Sequence, residues 1–199
     1  MHYKKLASYF FVNAVSMSLT IVATAIILRK YELSEFTEFS KMLLYLGYIV
    51  PLATLSLPGW LNNNFERYNK KLPGFLILVI LILSILVFLP IMLLMFFAET
   101  SSFITMILAV SIFTTCFFNI AISYIQFANL LRLYLLSQMF FMVANFANII
   151  AILTIPELPI EYRFLFLSAG HICIFFVLYI ASKIDFRLKW HEDIGDAFK

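Results

Sequence analysis

Six stretches of the chain, 6–28, 42–61, 72–98, 100–131, 133–156 and 164–182, contain no Lys, Arg, Asp or Glu. A helix that crosses the hydrocarbon core of a bilayer needs roughly 20 apolar residues in succession, and each stretch supplies about that many. The stretch 100–131 has room for one tilted span and a turn. All six are continuously apolar rather than alternating, which favours helices over the strands of a membrane barrel. Composition agrees. Charged residues make up 13% of the 199, where a soluble domain uses roughly a quarter, and the mean hydropathy is +0.98. A soluble globular domain and a disordered chain are both excluded. The expected fold is all-α: a polytopic membrane bundle of six transmembrane helices over 1–182, followed by a cytoplasmic amphipathic tail or linker over 183–199.

Orientation follows from Lys and Arg, which collect in cytoplasmic loops. With the N-terminus inside, the inner segments carry Lys4, Lys5, Arg67, Lys70, Lys71, Arg132, Lys183, Arg187, Lys189 and Lys199. The outer segments carry Arg29, Lys30, Lys41 and Arg163. An even number of spans then places both termini on the cytoplasmic side. Lys4, Lys5 and the sequence Ala23-Thr24-Ala25 imitate a signal peptide. The apolar run is too long for one and continues through Leu28, so an uncleaved first helix is expected. Cys116 and Cys173 both fall within spans, which argues against a disulfide or a zinc site and for two small apolar packing residues.

Three spans carry polar residues at helical spacing. The first has Asn13, Ser16, Thr20 and Thr24; the fourth has Ser111, Thr115, Asn119, Ser123 and Gln126; the fifth has Gln138, Asn145 and Asn148. Such groups need partners in hydrocarbon, so they are expected to face the bundle interior. There they act either as interhelical glue, at roughly 0.6–2 kcal/mol per contact, or as the lining of a hydrated path. His171 is the one titratable group deep in a span, apart from phenols and thiols, and it fits either a proton relay or a single hydrogen bond to a neighbouring helix. Pro51, Pro58 and Gly59 predict a kinked second helix. No metal-ligand spacing, phosphate loop, nucleophile elbow or catalytic cluster is present, and no basic-aromatic patch for nucleic acid. No cofactor is expected, and an enzyme is not.

The segment that follows the first span reads Leu28-Arg29, then Tyr31, Glu32, Ser34-Glu35-Phe36 and Phe39. The second span closes on Ser56-Leu57-Pro58-Gly59-Trp60-Leu61-Asn62. This layout resembles the opening of the bacterial polysaccharide flippases, which export O-antigen, capsule and teichoic-acid units. They belong to the multidrug/oligosaccharidyl-lipid/polysaccharide exporter superfamily. The stretch 124–152, with Gln126, Arg132, Tyr134 and Asn145, is similar to the inner loop and fifth helix of that family. Thr37 stands where the family usually has Gly. Family members are built of two six-helix lobes, and the six spans here correspond to one, resembling a lobe of a multidrug and toxin extrusion-like transporter.

The resemblance implies alternating access at the bacterial inner membrane, with a polyprenyl-linked oligosaccharide as cargo. It implies a second transporter lobe or a parallel homodimer partner. The candidate cavity residues are Asn13, Thr20, Asn119, Asn145 and His171, each as a hydrogen-bonding group toward glycan or phosphate. The alternative is an accessory or structural integral membrane protein without transport activity of its own.

Overall fold

The computed structural model describes residues 2–54, 57–64, 72–97, 102–155, 157–181 and 183–185. Their order is α1 (His2–Lys30), α2 (Leu33–Thr54), α3 (Leu57–Asn64), β1 (Leu72–Pro73), α4 (Phe75–Phe97), α5 (Ser102–Phe127), α6 (Leu131–Thr154), α7 (Tyr162–Ile180) and β2 (Ile184–Asp185). Five segments, Ala7–Lys30, Leu33–Asn64, Phe103–Phe127, Leu131–Thr154 and Tyr162–Ile180, are long and apolar enough to cross a membrane. In α4 the apolar stretch is the shorter Leu76–Pro90. The tail expected beyond Asp185 lies outside the described residues.

The contacts between helix ends sort into two layers. At one end, the Lys30 ammonium donates to the carbonyls of Ile152 and Ile155, and the Tyr31 hydroxyl donates to Leu158 O at 2.7 Å. Phe39 packs on Phe164, and Phe103 on Tyr162, at the same end. At the other end, Leu72 pairs with Ile184 in a parallel two-residue register, and Tyr134 meets Tyr9 and Asn13. So α1, α4 and α6 run one way and α2, α5 and α7 the other. This is the alternation that successive membrane crossings require, and it brings the start of α1 and the end of α7 to one side.

Buried residues line α5 along its length: Ile107, Leu108, Ile112, Cys116, Ile120 and Tyr124 are fully covered. It packs against α2, α3, α4 and α7, while α6 lies between α1 and α7. The outward faces stay apolar. Phe10, Leu33 and Ile180 are about three-quarters or more exposed, far beyond what a soluble monomer leaves in water. The all-helical architecture with its greasy exterior fits a polytopic membrane bundle. Cys116 and Cys173 are both free thiols.

The second charge-free run is divided between α2 and α3, which continues to Asn64, but helix boundaries depart most from the charge-free runs between the first two spans. The segment 29–41, expected as a loop, is almost wholly helical: α1 continues to Lys30 and α2 begins at Leu33. The Glu35 carboxylate accepts the Glu32 N–H at 3.1 Å, capping the start of α2, and Lys41 pairs with Glu38 at 2.6 Å. Charges mark where a helix leaves lipid, not where it ends. A helix can run on into water once its first N–H groups are capped.

The α5–α6 connection is a Schellman turn. Leu130 N–H donates to Ile125 O and Asn129 N–H to Gln126 O, both at 3.0 Å, with Asn129 at φ 55°. That left-handed position favours Gly and tolerates Asn. Between α6 and α7, a Cβ added at Gly170 would sit 2.9 Å from Ala144 Cβ and 3.3 Å from Phe141 Cα. Small residues here let two backbones approach closely, the usual device of membrane helix pairs.

Two outcomes follow from this packing. Asn129→Gly should leave thermal stability in detergent unchanged or raise it, whereas Asn129→Val should lower stability by about 1–2 kcal/mol. Gly170→Ala should destabilise by about 1–3 kcal/mol, and combining it with Ala144→Gly should recover most of the lost melting temperature.

Candidate functional site

One face of α6 carries Tyr134, Gln138, Phe141, Asn145, Asn148 and Ile152, spaced alternately by four and three residues. Tyr134, Gln138, Asn145, Asn148 and Ile152 are buried. The spacing keeps them on a single stripe along the helix. The Tyr134 hydroxyl donates to Asn13 Oδ1, and its ring stands edge-on to Tyr9 at 4.5 Å. About two turns further, the Phe141 ring lies parallel to His171 at 5.3 Å. Asn145 Nδ2 donates to Phe141 O at 3.1 Å, but among the described residues Asn145 Oδ1 has no partner, and neither polar atom of Asn148 has one. Asn148 is fully buried and Asn145 nearly so. Three unsatisfied amide atoms therefore sit within about a turn of helix, in the apolar middle of the bundle.

His171 closes the other side of this stripe. Its ring forms a triangle with Phe118, at 4.5 Å, and Phe141, which stack on each other at 5.7 Å, and Nδ1 is 3.3 Å from Thr115 Oγ1. Nearby, the Ser111 and Ser168 hydroxyls meet at 3.1 Å. These contacts join α5, α6 and α7. Here His171 is an aromatic packing element with one polar tether.

The five candidate residues fall into separate groups. Asn145 and His171 both touch Phe141, Asn145 at its backbone carbonyl and His171 at its ring. Asn13 is tied to α6 through Tyr134. The exposed Thr20 donates its hydroxyl back to Ser16 O at 3.1 Å within its own helix. Asn119 is exposed on α5, its backbone carbonyl accepting from Ser123 at 2.8 Å. Among the described residues, Thr20 and Asn119 make no hydrogen bond to the other three.

The inward-facing expectation for the polar stripes therefore holds throughout α6 and only partly elsewhere. In α1, Ser16 is buried but Asn13 and Thr20 are exposed; in α5, Ser111 is buried but Asn119 and Gln126 are exposed. Ser and Thr hydroxyls satisfy themselves on the carbonyl four residues back, so they can stand on any face. An Asn amide can place its NH2 group there, as Asn145 does, but its carbonyl oxygen still needs a donor from elsewhere. With a rise of about 1.5 Å per residue from the Lys30 end, Asn13 and Asn119 both lie roughly 25 Å down and His171 roughly 14 Å.

Sequence reasoning missed the end of the bundle where Lys30 and Arg163 lie, having assigned both to outer loops. Lys30 caps the last carbonyls of α6 from another helix, which suits the negative end of that helix dipole. Arg163 stands in the first turn of α7 with 4% of its surface exposed, its guanidinium 5.7 Å above the Phe39 ring. Among the described residues its Nε and Nη1 have no hydrogen-bond partner. A cation–π contact offsets only part of the cost of burying such a group. No spacing pattern signals this burial, because Arg163 sits one residue outside an apolar run. No cluster of three metal-ligating side chains occurs among the described residues.

Burial raises the Tyr31 phenol above its ordinary 10.0, and the Glu35 and Glu161 carboxylates add to the rise. The proton it keeps is the one donated to Leu158. A phenol whose folded pKa is raised stabilises the fold below its unfolded value, and that contribution is lost as pH climbs through the folded one. The stability gap between wild type and Tyr31→Phe should accordingly be constant at neutral pH and shrink above about pH 10, read by thermal melts across that range. No family model matches the chain, and neither a characterised protein nor a solved structure is similar enough to carry an argument about its function.

Proposed function

We propose that this chain is one lobe of a membrane flippase that passes a lipid-linked oligosaccharide across the bacterial inner membrane for cell-surface polysaccharide assembly. The observation that carries the reading is the amide pair on α6. Among the described residues, Asn145 Oδ1 and both polar atoms of Asn148 are buried without partners, at a cost of roughly 1–3 kcal/mol for each unsatisfied group. A purely structural bundle gains nothing from such groups. A transporter does, if opening the seam beside α6 turns them toward a hydroxyl-rich glycan.

The mechanism in view is alternating access. The lobe rocks against a second lobe or a parallel copy of itself, the glycan moves through the polar seam, and the polyprenyl tail stays in lipid. No covalent bond of the cargo changes, so no catalytic group is needed. The up-down order of the helices, with the first and last on one side, and the Lys/Arg bias toward that side support cytoplasmic termini. The resemblance of the 28–62 segment to polysaccharide flippases supports the cargo class.

A second reading, an accessory membrane protein that transports nothing, is favoured by one specific observation. His171 and the Ser111–Ser168 pair are spent on helix packing rather than held free.

Asn148→Leu separates the two readings. On the transport reading, the variant melts at a higher temperature in detergent because the unsatisfied amide is gone, and it reaches the membrane at normal levels. Surface polysaccharide in cells that depend on it falls to background. A stabilised variant with undiminished surface polysaccharide would instead favour the accessory role.

A further inference from the structure

At the end of the bundle opposite Lys30, the α5–α6 turn and the end of α7 enclose an open groove of about 480 Å³. Its walls are Leu130, Leu131, Leu133 and Ala181, and it carries two cations, Arg132 and Lys183. We propose that this groove binds an anionic glycerophospholipid, with the phosphate held between Arg132 and Lys183 and the upper acyl segment lying along the leucines. The proposal concerns a resident membrane lipid, not cargo, and it is independent of the transport reading.

Charge complementarity selects this occupant. Among the described lining residues both charges are positive and no carboxylate offsets them. The two cations are also held in place. Lys183 has its backbone fixed from both sides: its N–H donates to Leu178 O at 2.9 Å and its carbonyl accepts from Leu72 N–H at 2.7 Å. Arg132 lies in the first turn of α6, directly after the Schellman turn that reverses the chain. Leu130, the residue before α6, supplies no side-chain cap, and the first turn has no acidic residue. The positive end of the helix dipole therefore adds to the two side chains.

Depth completes the match. α5 ends at Phe127, α6 starts at Leu131 and α7 ends at Ile180, so the groove opens where three spans leave the hydrocarbon and where lipid headgroups lie. Apolar walls below and cations above reproduce the amphipathic profile of a phospholipid. Basic pockets between spans on the positively charged side are a recurring mode of headgroup recognition.

The test is native mass spectrometry of the full chain released from nanodiscs that contain equal amounts of phosphatidylglycerol and phosphatidylcholine. Wild type should retain phosphatidylglycerol in roughly tenfold or greater preference, as expected for two basic residues at the surface. The double variant Arg132→Gln/Lys183→Gln should lose that preference, and Arg132→Lys/Lys183→Arg should keep it. Lys41→Gln, at the opposite end, should leave it unchanged. If the double variant is not recovered from membranes, wild type in 1 M ammonium acetate serves instead, where screening to about 3 Å should abolish the preference. Equal retention of the two lipids by wild type, or an undiminished preference in the double variant, would overturn the proposal and leave the groove to a polypeptide carboxylate.

Discussion

Hydrocarbon offers no hydrogen bonds, so every polar group inside this bundle must be satisfied by the bundle itself. That constraint orders most of what is seen. Backbone groups pair within helices. Serine and threonine hydroxyls turn back on their own helices. Asn13 is met by Tyr134, and Ser111 by Ser168. Even the last carbonyls of α6 are covered, by the Lys30 ammonium of another helix. Against that background the few groups left unsatisfied stand out, and they are concentrated on α6 and at Arg163.

Packing and function pull on α6 in different directions. Its close approach to α7 at Gly170 and its aromatic stack with His171 make that pairing rigid. Its other flank, toward α1, is more polar, with Tyr134 and Asn13 in contact at one end and Lys30 at the other. α5 is buried along much of its length.

The bundle's two ends differ in chemistry. The Lys30 end is latched by a Lys cap, the Tyr31 bond and a cluster of aromatic rings around Arg163. The opposite end holds a short parallel pairing, the Asn129 turn and a groove with two cations. This asymmetry matches the uneven distribution of Lys and Arg along the chain, and it gives the two membrane faces different ligands to meet.

The sequence by itself determined that apolar helices dominate and roughly where they lie, because the absence of charge over about 20 residues leaves only a bilayer as solvent; it led to six spans, whereas five segments are long and apolar enough to cross, with a shorter apolar stretch at Leu76–Pro90. It also determined the buried polar face of α6, since Gln138, Asn145 and Asn148 recur at helical spacing and an amide carbonyl oxygen has no backbone donor to meet within its own helix. It did not determine that residues 29–41 are helical, because charge reports the lipid boundary and capping reports the helix boundary. Only the tertiary structure decided that Thr20 and Asn119 stand apart from Asn145 and His171. Spacing fixes the face of a helix but not which neighbour covers it. Only the packing of α1 against α6 made a cap of Lys30, and only the approach of α7 to Phe39 of α2 set a buried Arg163 over that ring, since those roles depend on residues more than a hundred positions distant in the chain.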